Sequence, residues 1–595
     1  MLVRPKKAPA CDSCKSKRVL CHPQPNGPCP RCTEKGILCK TTPIPRGRPR
    51  KTQSPGPPVL LSSPAPSSSN TAELSRCALL TPELVKHLFM CFHERREYRN
   101  PIFQYFNIEK TLVAASWHHH LLPIQEAVLT AAICAAAATL SWHPAVLGPG
   151  VCPDSLADES VFFSGADLRA FGERRAPVCR ILKDYAIRVA FEARIMLEPT
   201  EWNVASCFLL DTLEHDISAS SRPWASVYMS HLRAVALNWP NEPKKSRALW
   251  SGWMMVESVL AAVNQKPVLV TPADQLLLSG PPPQSLEELL ESLEEETAQP
   301  LSFNFTNTRA ALVFTVVFPF LFHSITIARD FHQHISGTYA HRHPLSEPVI
   351  LKLLTTLATM QSIINHCVGD VDFPDASQIP KDKTPTELRA DASTFPELRS
   401  CAFVMSLIFV AFALSLYREL ESHAEPGPGS DVPAGLQVDF ATNMKSRWAR
   451  TRMASFRQQA HDMARSALPD LKRMLILQSG PFRHGAIRLE WSAIIEWGEF
   501  LADEADASSE GILPADVAVY ESLLNSLKGT AYSCVPPTLN SVIKRLETHL
   551  ATYHLKASTE MGMNMDDLET GNLVSEMSFL LDGSFFAVPD ATFGI

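Results

Sequence analysis

Six cysteines within the first 39 residues constrain this chain more than any other feature. They run Cys11-x2-Cys14-x6-Cys21 and then, after seven residues, Cys29-x2-Cys32-x6-Cys39, so one C-x2-C-x6-C unit occurs twice. Cysteines placed by chance, or kept only for packing, would not reproduce both gaps. Two cysteines three apart at the start of a helix can bind one metal ion, and each unit carries helix signals. Asp12 is positioned to cap a short helix carrying Cys14, Pro30 stands at a helix start before Cys32, and Gly36 can end that second helix. Six thiolates are too few for two separate tetrahedral zinc sites, so two zinc ions would require two shared thiolates. The opening MLVRPKKAPAC has no apolar core of the kind a signal peptide needs. A reducing compartment is therefore expected, with thiols or metal ligands rather than disulfides. The other nine cysteines, scattered from Cys77 to Cys534, read as small buried apolar residues.

Charge divides the chain in the same place. Residues 1–51 hold thirteen Lys/Arg against Asp12 and Glu34, a balance of +11 in a protein whose total is -7, which leaves -18 for the remainder. Two zinc ions on six thiolates would carry a net -2, and the head would keep +9. A basic head on an acidic body implies a polyanion partner for the head alone.

The array resembles the fungal zinc binuclear cluster, the Zn2Cys6 family of transcription factors, over about thirty residues. The resemblance implies two Zn2+ ions bridged by the first and fourth cysteines, here Cys11 and Cys29. Cys14 and Cys21 would complete one site, and Cys32 and Cys39 the other. The family's basic signature is present as Lys15-Ser16-Lys17-Arg18. In that family the end of the first helix enters the major groove, typically at CGG triplets, which makes Lys17 and Arg18 the base-contact candidates and Lys15 their neighbour on DNA. Arginine and lysine donate to O6 and N7 of guanine, in keeping with that preference. The second unit has Glu34 beside Lys35 and suits DNA less well.

A second basic element follows, Pro45-Arg46-Gly47-Arg48-Pro49-Arg50-Lys51. It resembles an AT-hook core. Glycine lets an extended backbone lie deep in a narrow A·T-rich minor groove, where the arginines meet negative potential. A nuclear-import signal or a general phosphate-binding arm remains the alternative, and the readings are compatible.

Residues 52–78 form a Pro/Ser-rich linker; 52–72 have no charge, five prolines and six serines. Order is expected to resume at Thr81-Pro82-Glu83, a helix start with Thr81 as N-cap. From 79 to 555 apolar residues recur at helical period and strand alternation is scarce, which predicts a large all-α regulatory domain. It resembles the middle region that follows many zinc clusters, in position, size and helical character. Stretches 279–305, 369–397 and 421–439 read as loops or disordered inserts, the first for its PPP run and six glutamates. Residues 310–328 and 400–417 lack charge and imitate membrane spans, but neither has a basic anchor after it, so both are expected as core helices with no membrane. No sustained heptad marks a coiled coil, so a homodimer, if formed, would use another surface.

Two features invite an enzymatic reading and are read otherwise. His118-His119-His120 would point in three directions on a helix and is expected as a solvated turn. Glu496 and Glu499 would share an exposed helix face. No phosphate loop, nucleophile elbow or His-Glu-x-x-His pattern occurs. Residues 556–595 interleave acids with Leu, Met and Phe and contain no Lys or Arg after Lys556, as an acidic activation segment that recruits coactivators would. The chain therefore reads as a zinc-dependent, nuclear DNA-binding regulator of RNA polymerase II genes, an activator before a repressor, with no catalytic residues. The reading from another class is a helical enzyme or adaptor tethered to DNA by the head.

Overall fold

A computed structural model describes residues 10–17, 19–22, 24, 27–41, 77–163, 165–214, 221–239, 244–298, 305–369, 371–374, 396–423, 440–478 and 488–560. The chain divides into two units, 1–70 and 71–595. Among the described residues there is no strand, only an isolated bridge between Gln24 and Gly27.

The first unit repeats its backbone as it repeats its sequence. Asp12–Ser16 and Pro30–Glu34 are one-turn helices entered through Cys11 and Cys29, whose ψ values are 155° and 147° at a shared φ of −65°. Lys15 N–H donates to Cys11 O at 3.0 Å, and Thr33 N–H to Cys29 O at 3.1 Å. Past the helices, Val19 N–H reaches Cys14 O at 3.1 Å, and Ile37 N–H reaches Cys32 O at 2.9 Å. Gly36, at φ +59°, makes the left-handed turn that this closing geometry needs. One expectation changes: Cys11, not Asp12, is the residue before the helix, and Asp12 is its first helical residue. Cysteine occupies the entry position in both helices, so the thiols rather than a carboxylate lie over the first turn.

The second unit is helical, with a large buried apolar cluster and a small separate one at Leu156, Ala166, Leu168 and Tyr532. Thr81 caps Pro82–His93 as expected, accepting from Leu84 N–H at 3.3 Å. Ile124–Ala138 is apolar on all sides and almost wholly buried, as such a helix must be. It packs on Pro82–His93, Arg169–Glu192 and Glu201–Leu213. In the C-terminal half the centre is Pro396–Ser422. It is long and apolar enough to cross a membrane, yet 78% of its apolar window is buried. Phe305–Phe331, Glu347–Ile364, Phe440–Ser466, Leu468–Gln478 and Arg488–Ala507 pack around it. Lys244–Val263 touches Phe305–Phe331, Pro396–Ser422 and Arg488–Ala507 and so joins the two halves.

The expected insert at 279–305 is corrected in part. Leu286–Ala298 is a helix. Ser285 and Glu288 close it reciprocally: Glu288 N–H donates to Ser285 Oγ at 3.1 Å, and Ser285 N–H to the Glu288 carboxylate at 2.9 Å. Leu286, Leu289 and Leu293 form its buried stripe. The S-x-x-E signature was present in the sequence, and three prolines and six glutamates masked it. Residues 299–304, 375–395, 424–439, the linker to Arg76 and the tail from Met561 lie outside the described residues. The last helix, Leu539–Glu560, runs past the expected boundary at 555.

Close helix contacts depend on particular glycines. A Cβ at Gly172 would overlap the Ala531 carbonyl oxygen and come within 2.9 Å of Val535 Cγ2, whereas a Cβ at Gly529 meets nothing. Gly172→Ala is therefore expected to destabilise the body by about 1–3 kcal/mol through overpacking. Gly529→Ala is expected to be neutral or stabilising. Chemical denaturation of the two full-length variants, followed by circular dichroism, checks the contrast.

Candidate metal centre

The six cysteines converge. Cys11 Sγ lies 3.8 Å from Cys29 Sγ, 3.7 Å from Cys32 Sγ and 3.8 Å from Cys21 Sγ, and Cys14 Sγ lies 3.8 Å from Cys29 Sγ. All six are free thiols. They fall into two groups of four, Cys11/Cys14/Cys21/Cys29 and Cys11/Cys29/Cys32/Cys39, with the ligand atoms in each group within 4.8 Å of one another. Cys11 and Cys29 belong to both groups.

The spacing suits a metal better than it suits thiols alone. A disulfide would bring two sulfurs to about 2.0 Å. Four thiolates around a tetrahedral zinc at about 2.3 Å place neighbouring sulfurs about 3.8 Å apart. The sulfur–sulfur distances about the Cys11–Cys29 edge therefore already have the dimensions of zinc tetrahedra. The donor set of soft sulfur fits zinc as well.

Packing supports the same conclusion. Among the described residues of this unit the buried apolar ones are Cys11, Cys14, Cys29 and Cys32, while Leu20 and Leu38 are 77% and 84% exposed. With no aliphatic core among those residues, bonds to a metal are the natural way to hold them folded. The backbone helps the shared pair. Neither Cys11 nor Cys29 closes a capping hydrogen bond with its side chain. Even so, the Cys14 amide, outweighing burial, holds the Cys11 thiol down at about 6. The Cys32 amide likewise lowers Cys29. Burial raises Cys14, and pushes Cys32 up to about 12. The two thiols at the helix entries are thus the ones the backbone favours as thiolates.

Around this centre, Lys15 lies in the last turn of the first helix and Lys17 just past its end, both exposed. Arg18, Arg46, Arg48, Arg50 and Lys51 lie outside the described residues. Asp12 N–H donates to Lys40 O at 2.9 Å and ties the end of the second repeat to the start of the first.

Polar groups in the body depart from expectation in two places. His119 is buried rather than solvated, with its Nε2 3.1 Å from Tyr185 Oη; a 3-10 turn at His119–Leu121 turns it inward. Glu496 and Glu499 are half-buried against Arg418, which donates to Glu496 O at 2.8 Å and sits 3.4 Å from the Glu499 carboxylate. Burial raises Glu496, with Arg418 opposing. Sequence reading also missed a buried group in which His87 Nε2 lies 3.0 Å from Ser141 Oγ and 3.3 Å from Cys91 Sγ. Burial pushes Cys91 up to about 12 and His87 down to about 4, the opposite of an activated thiol–imidazole pair. Compared with known families, characterised proteins and solved structures, the chain shows no match to any of them.

Proposed function

We propose that the N-terminal unit holds two zinc ions with Cys11 and Cys29 shared between them, and that the protein is a nuclear, sequence-specific DNA-binding regulator of RNA polymerase II transcription. The observation that carries this reading is the pair of four-sulfur groups with a common Cys11–Cys29 edge. Zinc here is structural: every position around it is filled by sulfur, which leaves none for substrate or water. Its chemistry is to neutralise six thiolates and fix two helices, so that Lys15 and Lys17 project beside a unit of strong positive balance. Phosphate contacts supply affinity and register, and base-edge contacts supply discrimination.

Selection from randomised duplexes tests the reading. The full-length protein is expected to enrich a CGG-like triplet. Lys17→Ala/Arg18→Ala is expected to lose about 1–3 kcal/mol of discrimination while retaining most of its salt slope. Arg46→Ala/Arg48→Ala is expected to keep the triplet and lose A·T preference beside it. No enriched sequence with the wild-type protein would remove the DNA-reading function.

The activator reading rests on the acidic-hydrophobic pattern of 557–595. That segment fused to an unrelated DNA-binding domain is expected to raise reporter transcription. A silent reporter would instead leave the tail as a final helix that docks on the body.

A further inference from the structure

The helical body contains a second convergence of metal-ligating side chains, and nothing in the zinc-cluster reading accounts for it. Glu419 stands in the last turn of Pro396–Ser422, and His423 follows four residues later, on the same side. His341 comes from the 3-10 turn Ala340–Arg342. A ring nitrogen of each histidine and a Glu419 carboxylate oxygen all lie within 4.8 Å of one another. Ligands of a tetrahedral zinc with nitrogen and oxygen donors stand about 3.4 Å apart, so the set must contract and the rings must turn to hold an ion.

Two of the three ligands, Glu419 and His423, meet groups outside the set. Gln265 Nε2 donates to Glu419 Oε1 at 2.9 Å. That leaves Oε2, which is buried, 3.2 Å from His341 Nε2 and without hydrogen-bond geometry to any partner. The His423 ring hydrogen-bonds the Ile335 carbonyl. Its Nε2 is buried with no hydrogen-bond partner. The two imidazoles stack with centroids 4.8 Å apart. A buried carboxylate oxygen and a buried ring nitrogen of this group thus lack hydrogen-bond partners, a need that a cation can meet.

The backbone around the site is specialised too. Ile335 belongs to a π-helical turn, His332–Ser336, a form that often accompanies functional sites. Gly337 follows, where a Cβ would overlap the His332 carbonyl, and Ser336 Oγ anchors the turn to Ala262 O at 2.7 Å. Gln265 adopts φ +56° just past Lys244–Val263, with Lys266 N–H returning to Ala261 O at 2.8 Å. Glycine is the ordinary occupant of that left-handed position. A glutamine there accepts backbone strain, and its side chain is the one that orients Glu419.

We propose that His341, Glu419 and His423 bind a divalent transition-metal ion of the zinc class, with Gln265 and the Ile335 carbonyl as positioning groups. Two imidazoles and one carboxylate select zinc, copper or nickel over magnesium and calcium. The ion would clamp the end of Pro396–Ser422 to the 3-10 turn Ala340–Arg342. His341 is exposed, which leaves the remaining coordination position open to solvent.

The test uses the full chain carrying Cys11→Ala/Cys29→Ala, so that the shared thiolates are gone, equilibrated with zinc chloride and freed of loose metal. One zinc per chain is expected in the body. Adding Glu419→Gln or His423→Ala is expected to remove it, and His334→Ala, an exposed neighbour, to keep it. Cobalt in place of zinc is expected to show d–d bands without thiolate charge transfer, a readout that needs no substitution in the body. Gln265→Gly is expected to weaken zinc affinity about 10–100-fold with no fall in melting temperature, since it relieves the left-handed strain. No zinc in the cysteine-depleted chain overturns the proposal. So does zinc that survives Glu419→Gln, since it then belongs to the remaining thiols.

Discussion

Replacing Cys29 with alanine is expected to lower the zinc bound by the N-terminal unit from two ions to none and to abolish DNA binding, whereas Cys14→Ala is expected to strip one ion directly. The asymmetry follows from membership: Cys29 and Cys11 belong to both four-sulfur groups, and Cys14 to one. With Cys29 gone, each group keeps three sulfurs and loses the edge that joins them. Among the described residues nothing apolar replaces that edge, since the buried apolar ones there are cysteines, and Leu20 and Leu38 are exposed. Metal binding and folding are then one event. Elemental analysis of the two full-length variants, beside a duplex-binding assay, checks the result. The body site is subtracted by carrying Glu419→Gln in every sample. Two zincs retained by Cys29→Ala would refute the shared-ligand arrangement.

Trp497→Ala is expected to be the most damaging single truncation in the body, destabilising it by about 3–5 kcal/mol. Trp497 is fully buried, and its Nε1–H donates to Val410 O at 3.2 Å, from Arg488–Ala507 to the central helix Pro396–Ser422. Alanine would leave a large cavity and remove a hydrogen bond between two helices that share the core. Its neighbour Gly498 marks how close the opposite face runs, since a Cβ there would meet Val542 Cγ1 at 2.6 Å. Collapse into the cavity is therefore limited. Trp497→Phe keeps most of the ring and loses only the hydrogen bond, so about 1–3 kcal/mol is expected. Denaturant titration of both variants measures the difference. A loss for alanine no larger than for phenylalanine would show that the cavity closes.

The sequence by itself determined what is local. The cysteine gaps span 29 residues, from Cys11 to Cys39, and carry the ligand set, its division into two repeats and the need for shared sulfurs. Helical period over long stretches determined an all-α body, because burial of one face, or of every face as in Ile124–Ala138, is written in the spacing of apolar residues. Local signals also misled where composition outweighed grammar, as at Leu286–Ala298.

Tertiary structure decided which distant polar groups meet. Gln265 and Glu419 are 154 residues apart in sequence, and His341 and His423 arrive on different elements. His119 turns inward because Tyr185 receives it, and Glu496 and Glu499 face Arg418 from another helix. A spacing rule describes neighbours on one element; it holds no information about what the next helix brings to the same point. The cysteine array was legible because its ligands lie on one short segment, and the His341–Glu419–His423 group was not, because packing alone assembles it.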